Sequence, residues 1–341
     1  MRVTIKSIAE RAGVSFQAVS AVLNKRGYSR VSPEKRKAIE ALAREMGYVP
    51  NMSARILSGK GSRLLGVIAD TRMPYAQKEI LIRLESAANA MGYRILVFEF
   101  HDSVEQLFSG YAILQQHSVE GTIVLASDYP EHRDEIGRFF SGKEDVVLFG
   151  GPVIPGVRHV IPDTSAIIEN MVRRFIAEGR RKIMLCLALR ENRGVYSITE
   201  RVDGFRRGLA GAAGEVVCLS EDDDSPEIIA RSAAEIIRTR ILPEKFDAVI
   251  SQNDGIALAL ITRLTAAGVS VPEDVAVAGY NNEEFCRLSQ PGISSVDLRT
   301  GELARTMLDL LLHPEDSKSP VVVVTPELTI RESAFREGAS R

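Results

Sequence analysis

Cysteine is scarce in this sequence, and its spacing excludes two kinds of stabilisation. The 341 residues contain three cysteines, Cys186, Cys218 and Cys286, which lie far apart, form no C-x-x-C pair and have no histidine at zinc spacing. This pattern argues against a disulfide framework and against a structural metal site, and it fits a reducing compartment.

Long apolar segments are also missing. The N-terminal stretch MRVTIKSIAERAG has charged residues at positions 2, 6, 10 and 11, so it does not resemble a signal peptide. No window of 18 or more apolar residues occurs anywhere in the chain. The sequence therefore predicts a soluble cytoplasmic protein with no membrane partner.

Catalytic and cofactor-binding motifs are missing as well. The sequence has no GxGxxG after a predicted strand, no GxSxG and no HExxH. GRFFSGKE at 137–144 approaches a P-loop, but Glu144 replaces the required Ser or Thr, and a helical pattern precedes it. The five histidines show no paired spacing, and we expect each to be a surface or packing residue: His101, His117, His132, His159 and His313. These absences predict a protein that is not an enzyme and holds no cofactor or metal.

What the sequence does have is an uneven distribution of charge. Residues 1–60 contain 12 Lys/Arg and 4 Asp/Glu, whereas the remaining residues contain 31 and 41. A small basic segment on a large acidic body is typical of a protein that binds a polyanion with one end. Basic termini are also common without such a partner, so charge alone leaves the question open.

The first fifty residues show the periodicity of three short helices. Thr4 can cap a helix through residue 12, Ser15 can cap a second one over 16–24, and Ser32 precedes a third. Gly13 lies in the tight turn between the first two helices, which gives a helix-turn-helix layout.

The second of these helices has an outer face suited to a DNA major groove. Gln17 can form two hydrogen bonds with adenine, and Lys25, Arg26 and Arg30 follow where they can hold phosphates. The outer face consists of small, amide and aromatic residues, namely Ser15, Phe16, Gln17, Ser20 and Ala21. A basic three-helix bundle that binds protein is the alternative interpretation.

Residues 50–59, PNMSARILSG, are harder to place. Asn51 can cap a helix and Gly59 can end it, yet the stretch offers barely two turns. Isolated helices shorter than about 12–15 residues are marginal in water. Ile56 and Leu57 therefore either pack on the rest of the chain or become ordered against a partner.

From Arg63 onward, apolar runs alternate with helical patterns. The predicted strands are 64–69, 94–99, 121–126, 146–149, 183–189, 215–219, 247–251 and 275–279, and the predicted helices are 77–91, 104–117, 131–140, 165–179, 200–212, 226–240 and 254–267. Continuous apolar strands with helices between them indicate parallel sheets covered on both faces. We predict an α/β body of two doubly wound subdomains, one formed by 62–161 plus 292–319 and the other by 162–291 plus 320–341. A helical head at 1–49 and a hinge at 50–61 precede this body.

Two residues of the body have the setting of a binding site. Asp254 lies where a predicted strand ends and a helix begins, which is the edge at which α/β sheets bind ligands. Arg201 lies at the start of a predicted helix beside the same kind of edge. A helix N-cap and a surface arginine are the alternative interpretations. Facing each other in a cleft, the two side chains would suit a hydroxyl-rich ligand.

The segment VTIKSIAERAGVSFQAVSAVLNKRGYSRVSPEKRKAIEALAREMGYVPNMSARILSG resembles the DNA-binding head of the LacI/GalR family nearly end to end. The resemblance implies that the hinge becomes helical when two copies meet over the minor groove, where Leu57 is inserted between base steps. Ala21 departs from the larger polar residue that relatives often have there. The expected DNA-contacting residues are Thr4, Ser15, Phe16, Gln17, Ser20, Ala21, Asn24, Arg30, Asn51, Ala54 and Leu57.

The body resembles the effector domain of the same family, which is similar to periplasmic sugar-binding proteins. The stretches ERVDGF, NDGIALAL and VPEDVAVAGYNNEEF carry this resemblance. Asn281 stands where the family usually has an acid, and MPYAQKE at 73–79 departs from the usual ligand loop. The residues implied to bind ligand are Tyr75, Gln77, Ser197, Arg201, Asp254 and Asn281.

The resemblance implies a ligand-responsive transcriptional repressor that binds a pseudo-palindromic DNA operator. The effector would be a small metabolite such as a sugar, a related polyol or a nucleoside-like compound. No heptad tail is visible, so we expect a homodimer, with Ile80, Leu81 and Leu84 in its interface. The alternative is a cytoplasmic sugar-binding module or sugar-processing enzyme with a basic head that associates with nucleic acid.

Overall fold

The computed structural model describes residues 3–23, 31–48, 56, 59, 61–71, 75–101, 103–126, 128–188, 195–219 and 225–335. The chain divides into two compact units, the head (residues 1–62) and the body (residues 63–341), and each is described by itself. No helix among the described residues is both long enough and apolar enough to cross a membrane.

Among its described residues, the head has the helices α1 Ile5–Ala12, α2 Phe16–Leu23 and α3 Pro33–Glu45. Helix α1 begins at a capping box, in which the Ser7 amide donates to Thr4 Oγ1 at 3.2 Å and the Thr4 amide donates to Ser7 Oγ at 3.0 Å. It ends at Gly13, whose φ of 63° lies in the left-handed region where a side chain would be strained. The predicted caps and turn therefore form.

A small apolar core fixes the three helices of the head against one another. Its fully or almost fully buried members are Ile8, Ala9, Val19, Val22, Ile39 and Ala43. Burying a Val or Ile side chain contributes roughly 1.5–3 kcal/mol, so this core suits a domain of fewer than fifty residues. Because Val19 and Val22 face the core, the opposite side of α2 faces solvent.

In the described part of the body, the strands form two six-stranded sheets. The strands are β1 Leu64–Asp70, β2 Arg94–Phe100, β3 Thr122–Val124, β4 Val146–Phe149, β5 Arg158–Pro162, β6 Lys182–Leu187, β7 Ala213–Cys218, β8 Ala248–Ser251, β9 Ala276–Tyr280, β10 Ser294–Asp297, β11 Val321–Val324 and β12 Glu327–Thr329. The first sheet has the order β11-β5-β4-β3-β1-β2 and is parallel throughout. The second has the order β12-β10-β9-β8-β6-β7 and is parallel except for the antiparallel pair β10 and β12.

Helices cover both faces of each sheet. They are α4 Tyr75–Ala90, α5 Val104–Gln116, α6 Arg133–Phe140, α7 Thr164–Ala177, α8 Tyr196–Leu209, α9 Pro226–Ile236, α10 Asp254–Ala266 and α11 Thr300–Leu312, with short helical turns at Pro130–His132, Ile237–Ile241, Glu284–Arg287 and Pro314–Asp316. Helices α4 and α11 pack on one face of the first sheet, and α5 and α6 pack on the other. Helices α7 and α8 share one face of the second sheet, and α9 and α10 share the other. The predicted α/β architecture of two doubly wound subdomains is confirmed.

Strand β6 shows why the central strands read as continuous apolar runs. Ile183, Leu185 and Leu187 belong to the core beneath α7 and α8, whereas Met184 and Cys186 belong to the core beneath α9 and α10. A strand that is buried on both faces is usually a nearly continuous run of apolar residues. The apolar run is therefore a direct consequence of the two layers of helices.

Two predicted boundaries in the last fifty residues need correction. Residues 292–319 were expected in the first subdomain, but Ser294–Asp297 pairs with β9 in the second sheet. Residues 320–341 were expected in the second subdomain, but Val321–Val324 pairs with β5 in the first. The chain therefore crosses between the subdomains three times, after β5, after β10 and after β11. The other predicted boundaries remain predictions.

Helix α4 also differs from the expectation based on its sequence. Ile80 and Leu84, expected at an interface between subunits, are both 0 % exposed and pack in the core of the body. Leu81 is half-buried against the same core. The outward face of α4 instead carries Ile82, which is 57 % exposed.

His159 is buried in β5 and organises the loop that precedes that strand. Its Nδ1–H donates to the Gly150 carbonyl at 2.9 Å, and its Nε2 accepts the Ile154 amide at 3.1 Å. Both contacts require the neutral imidazole, and burial lowers the pKa of His159. The prediction of a packing histidine agrees with this geometry.

We expect His159 to make the protein less stable as the medium becomes acidic. Below the ordinary histidine pKa of about 6.5, the unfolded chain takes up a proton that the folded imidazole resists, so stability falls with falling pH. His159→Gln should lower the free energy of unfolding by about 1–3 kcal/mol at pH 7.5, because the Gly150 carbonyl and the Ile154 amide lose their buried hydrogen-bond partner. The difference between wild type and variant should shrink between pH 6.5 and 5. Urea unfolding at several pH values measures this, with the exposed His117→Gln as control. A constant difference across that pH range would contradict the role assigned to His159.

Candidate functional site

The second helix of the head presents to solvent the side chains predicted to read bases. Phe16 is 52 % exposed, Gln17 is also exposed, and Ser20 and Ala21 are half-buried. Ser15 is exposed too, and its Oγ accepts the Ala18 amide at 3.2 Å as a helix cap. An exposed aromatic ring beside an exposed amide gives α2 an outer face that can meet DNA base edges.

Part of the predicted DNA-binding set lies outside the described residues. This applies to Asn24, Arg30, Asn51, Ala54 and Leu57, and to most of the hinge at 50–61. Thr4 is described and exposed, and its side chain forms the capping box of α1. These residues remain predictions from the sequence.

In the body, the carboxyl ends of the strands in both sheets face the crossovers between the subdomains. Strands β5 and β11 belong to the first sheet, and the chain enters the second subdomain directly after each of them. Strand β10 lies parallel to β9 in the second sheet, and the chain leaves it for α11 of the first subdomain. Loops that follow the strands of both sheets thus meet at one cleft, which is where open α/β sheets bind ligands.

Arg201 lies at this cleft, in the second turn of α8. Its side chain is 9 % exposed, and its guanidinium carbon lies 4.2 Å from the centroid of the Tyr280 ring, at the end of β9. One terminal nitrogen donates to the Ser197 carbonyl at 3.1 Å. Among the described residues, its buried Nε has no hydrogen-bond partner. A cation stacked on a ring with a free donor is suited to hold a polar ligand.

Tyr280 is the residue that sequence reasoning missed beside Arg201. The ring is 1 % exposed, and its hydroxyl lies 3.0 Å from Thr164 Oγ1, at the start of α7. Tyr280 therefore connects the end of β9 to the start of α7, and its ring packs against the Arg201 guanidinium. The signal was present as the tyrosine of AGYNN, at the carboxyl end of a predicted strand.

The structure changes the role expected for Asp254. This residue is 0 % exposed, Oδ1 accepts from Ser295 Oγ at 2.6 Å, and Oδ2 accepts the Glu283 amide at 2.8 Å. Burial raises the pKa of Asp254, and the Ser295 hydrogen bond opposes that rise. Because both carboxylate oxygens are occupied inside the protein, the geometry favours support of the loop after β9 over direct contact with a ligand. Asn253, not Asp254, provides the N-cap of α10.

The loop that Asp254 supports contains Asn281 and a perturbed carboxylate. Asn281 and Asn282 both have positive φ, 109° and 52°, so the chain turns sharply as it leaves β9. Asn282 is held by Arg331 and Asp297, at 2.7 and 3.0 Å. Burial, and then the nearby Asp254, raise the pKa of Glu283 to about 7. The half-buried Asn281 thus sits on a firmly held turn at the cleft.

The remaining predicted ligand residues are not all brought together. Ser197 is exposed at the start of α8, one turn before Arg201. Tyr75 and Gln77 are half-buried at the start of α4. Burial raises the pKa of Tyr75, and the negative charges of Glu79, Glu283 and Glu284 raise it further. This electrostatic effect is the link between Tyr75 and the loop after β9.

Acidic side chains gather around the first turn of α8. Burial raises the pKa of Tyr196, and Glu200, Asp128 and Asp163 add to the rise. Burial also raises the pKa of Glu200 and of Asp128. Asp128 belongs to the loop after β3, in the other subdomain. No motif in the sequence pointed to Asp128 or Tyr196.

One group of residues with metal-binding side chains lies together in the described part of the chain. His313, Glu315 and Asp316 are all exposed, on the turn after α11. They lie at the end of the first sheet away from the cleft, where β11 begins. An exposed surface turn of this kind is common without an ion.

Comparison with known proteins distinguishes between the alternatives. Residues 4–51 match the model described as "Bacterial regulatory proteins, lacI family", and residues 172–334 match the periplasmic binding protein-like domain. The chain is a member of the LacI family. This LacI-family protein is a DNA-binding transcriptional repressor with a periplasmic-binding-protein-like ligand domain, and it is not an enzyme.

Curated relatives match the LacI-family chain over nearly its whole length. The HTH-type transcriptional repressor PurR of Mannheimia succiniciproducens is 27 % identical over 346 residues, covering 97 % of this chain and 98 % of that protein. PurR of Serratia proteamaculans is 28 % identical over 338 residues, covering 97 % and 96 %.

Solved structures share the fold of this LacI-family repressor. The Lac repressor bound to ONPG in the repressed state has a TM-score of 0.83 and 23 % identity, covering 98 % of this chain and 100 % of that one. The Lac repressor dimer bound to operator and ONPF has a TM-score of 0.81 and 23 % identity, with the same coverage. The complex of the regulator CelR with cellobiose has a TM-score of 0.64 and 24 % identity, again with that coverage.

Proposed function

We propose that this LacI-family repressor binds a pseudo-palindromic operator as a homodimer and responds to a small metabolite held in the cleft of its body. The observation that carries the proposal is the nearly buried guanidinium of Arg201, stacked on Tyr280 with its Nε unpaired among the described residues. A buried donor without a partner costs about 1–3 kcal/mol, which a ligand acceptor would recover. The protein acts on operator DNA and therefore in the cytoplasm.

The effector we propose is a hydroxyl-rich compound, such as a sugar, a polyol or a nucleoside-like molecule. Arg201 offers hydrogen-bond donors, and Asn281 offers both a donor and an acceptor without a charge. The fold is shared with the regulator CelR, whose structure contains cellobiose. A ligand that binds the closed cleft better than the open one would shift the population of the two states.

Two exposed apolar side chains support a homodimer. Ile82 on α4 is 57 % exposed and Leu288, directly after the Glu284–Arg287 turn, is 80 % exposed. The charges of Glu283 and Glu284 both raise the pKa of Tyr75, at the start of α4. Large apolar side chains that remain exposed on the body are candidates for burial between two copies. Light scattering should give twice the 37.4 kDa of one chain.

The hinge at 50–61 would connect effector binding to DNA binding. A segment too short to form a stable helix alone can become ordered when two copies meet over the minor groove. Leu57 would then act as a wedge between base steps, and unstacking would be offset by the wider contact with bent DNA. Effector binding would separate or stabilise the pair of hinges.

A gel-shift experiment with genomic fragments tests the proposed function. We expect sequence-selective binding, a log K against log salt slope of several units, and a change in affinity with one member of a panel of sugars, polyols, nucleobases and nucleosides. Ligand binding without sequence-selective DNA binding would instead indicate a sugar-binding module, and would refute the proposal.

Leu57→Ala should weaken operator binding about tenfold or more, since the wedge that stabilises the bend is removed. DNA bending, measured by fluorescence transfer between the ends of an operator fragment, should fall as well. Affinity for the effector should change little. Ser58→Ala, in the same segment, is the control. Intact bending and affinity in Leu57→Ala would show that this hinge does not act as a wedge.

A further inference from the structure

The first turn of α8 has no cap of its own. Val195 occupies the N-cap position and offers no side-chain acceptor, although the first amides of a helix need partners from outside it. The Tyr196 amide donates to Asp128 Oδ2 at 2.7 Å. Asp128 lies in the loop after β3. A helix of the second subdomain is therefore capped by a residue of the first.

Asp128 is anchored on its own side of the cleft. Its Oδ1 lies 3.5 Å from a guanidinium nitrogen of Arg133, the first residue of α6, and its side chain is 23 % exposed. One carboxylate oxygen therefore belongs to an ion pair within the first subdomain, and the other crosses to α8. The negative charge also faces the positive end of the helix dipole, which favours this arrangement.

The Tyr196 ring makes a second contact across the cleft. It lies against Gly151, in the loop after β4, where a Cβ would be 2.5 Å from Tyr196 Cε1. Glycine at 151 thus lets the ring approach the backbone of the first subdomain. The amide and the ring of one residue both depend on the two subdomains staying together.

These contacts lie one turn away from Arg201. The Arg201 guanidinium donates to the carbonyl of Ser197, the residue that directly follows Tyr196. We propose that Asp128 is a latch between the subdomains, which caps α8 only when the cleft is closed and so couples closure to the position of Arg201. The latch is a property of the body alone, and only the role of Arg201 rests on the proposed function.

The latch can be tested on the full-length protein by measuring the distance between the subdomains. Spin labels at Arg138→Cys on α6 and Arg263→Cys on α10, in a Cys218→Ser background, report that distance by pulsed electron resonance. Dilution with unlabelled protein prevents distances between labels on different copies of the chain from contributing to the signal. Asp128→Ala should add a population at longer distance. Asp128→Asn should fall between it and wild type, because an amide oxygen still caps a helix but lacks the charge.

Asp134→Asn is the matched control, since Asp134 is an exposed aspartate in the first turn of α6. Hydrogen exchange of the Tyr196 amide should rise at least tenfold in Asp128→Ala. Faster exchange with an unchanged distance distribution would show a cap without a latch and would overturn the proposal. If Asp128→Ala does not fold, Gly151→Ala replaces it, and it too must add the longer population, because its Cβ displaces the Tyr196 ring.

Discussion

Gly204→Ala is expected to destabilise the body by about 3 kcal/mol, more than the same change at any other helical glycine that the structure describes. A Cβ at residue 204 would overlap the backbone carbonyl oxygen of Ser165 in α7. Backbone atoms of a packed helix cannot move aside as a flexible side chain can. Helices α7 and α8 would have to separate.

The control for this change is Gly137→Ala in the middle of α6. The nearest atom to a Cβ there is Ile154 Cγ2 at 3.8 Å, an ordinary contact distance. Alanine in place of an unconstrained helical glycine should stabilise by roughly 0.5–1 kcal/mol. Thermal and urea midpoints of the two variants should therefore move in opposite directions. Equal midpoints would show that α7 and α8 are not in backbone contact at this position.

Arg201→Ala is expected to weaken effector binding about a hundredfold, because hydrogen bonds from a charged donor contribute about 1.5–3 kcal/mol each and the guanidinium can form more than one. Arg201→Lys should recover little of the loss, since an ammonium group cannot lie flat on the Tyr280 ring while reaching the ligand. The effect of the ligand on DNA binding should disappear together with its binding.

The measurement uses the compound that a thermal-shift screen of sugars, polyols, nucleobases and nucleosides identifies, followed by calorimetric titration. Arg206→Ala is the control, since Arg206 is exposed on the same helix. Operator affinity without ligand should be the same in all variants. Undiminished ligand affinity in Arg201→Ala would place the effector elsewhere in the body.

The sequence predicts the central elements of the fold well and the late crossovers poorly. Strand β6 is buried on both faces, so its apolar run is unmistakable. Strand β10 consists of Ser294, Ser295, Val296 and Asp297, and its serines are buried through hydrogen bonds rather than apolar character. Strand β11 is an edge strand with Val323 exposed, and its pairing with β5 depends on residues far away in the chain.

The site divides in the same way. Arg201 and its motif glycine, Gly204, could be placed from the sequence, and the structure adds that the glycine permits close helix packing. The burial of Asp254 could not be foreseen, because its partner Ser295 lies 41 residues further along the chain. The contact between Asp128 and Tyr196 spans 68 residues and has no local pattern. Long-range pairing of this kind is visible only once the sheets are assembled.

The three crossovers also determine the order in which the protein can be completed on the ribosome. Helix α11 and strand β11 belong to the first subdomain, but they are translated after almost all of the second subdomain. Strand β12, which completes the second sheet, is translated after both of them. Translation proceeds at roughly 5–20 residues per second, so an emerging body waits about ten seconds or more with an open sheet edge. The head, whose core lies entirely within residues 8–43, can fold during that wait. A nascent chain would then carry a folded DNA-binding head before its ligand-binding body is complete.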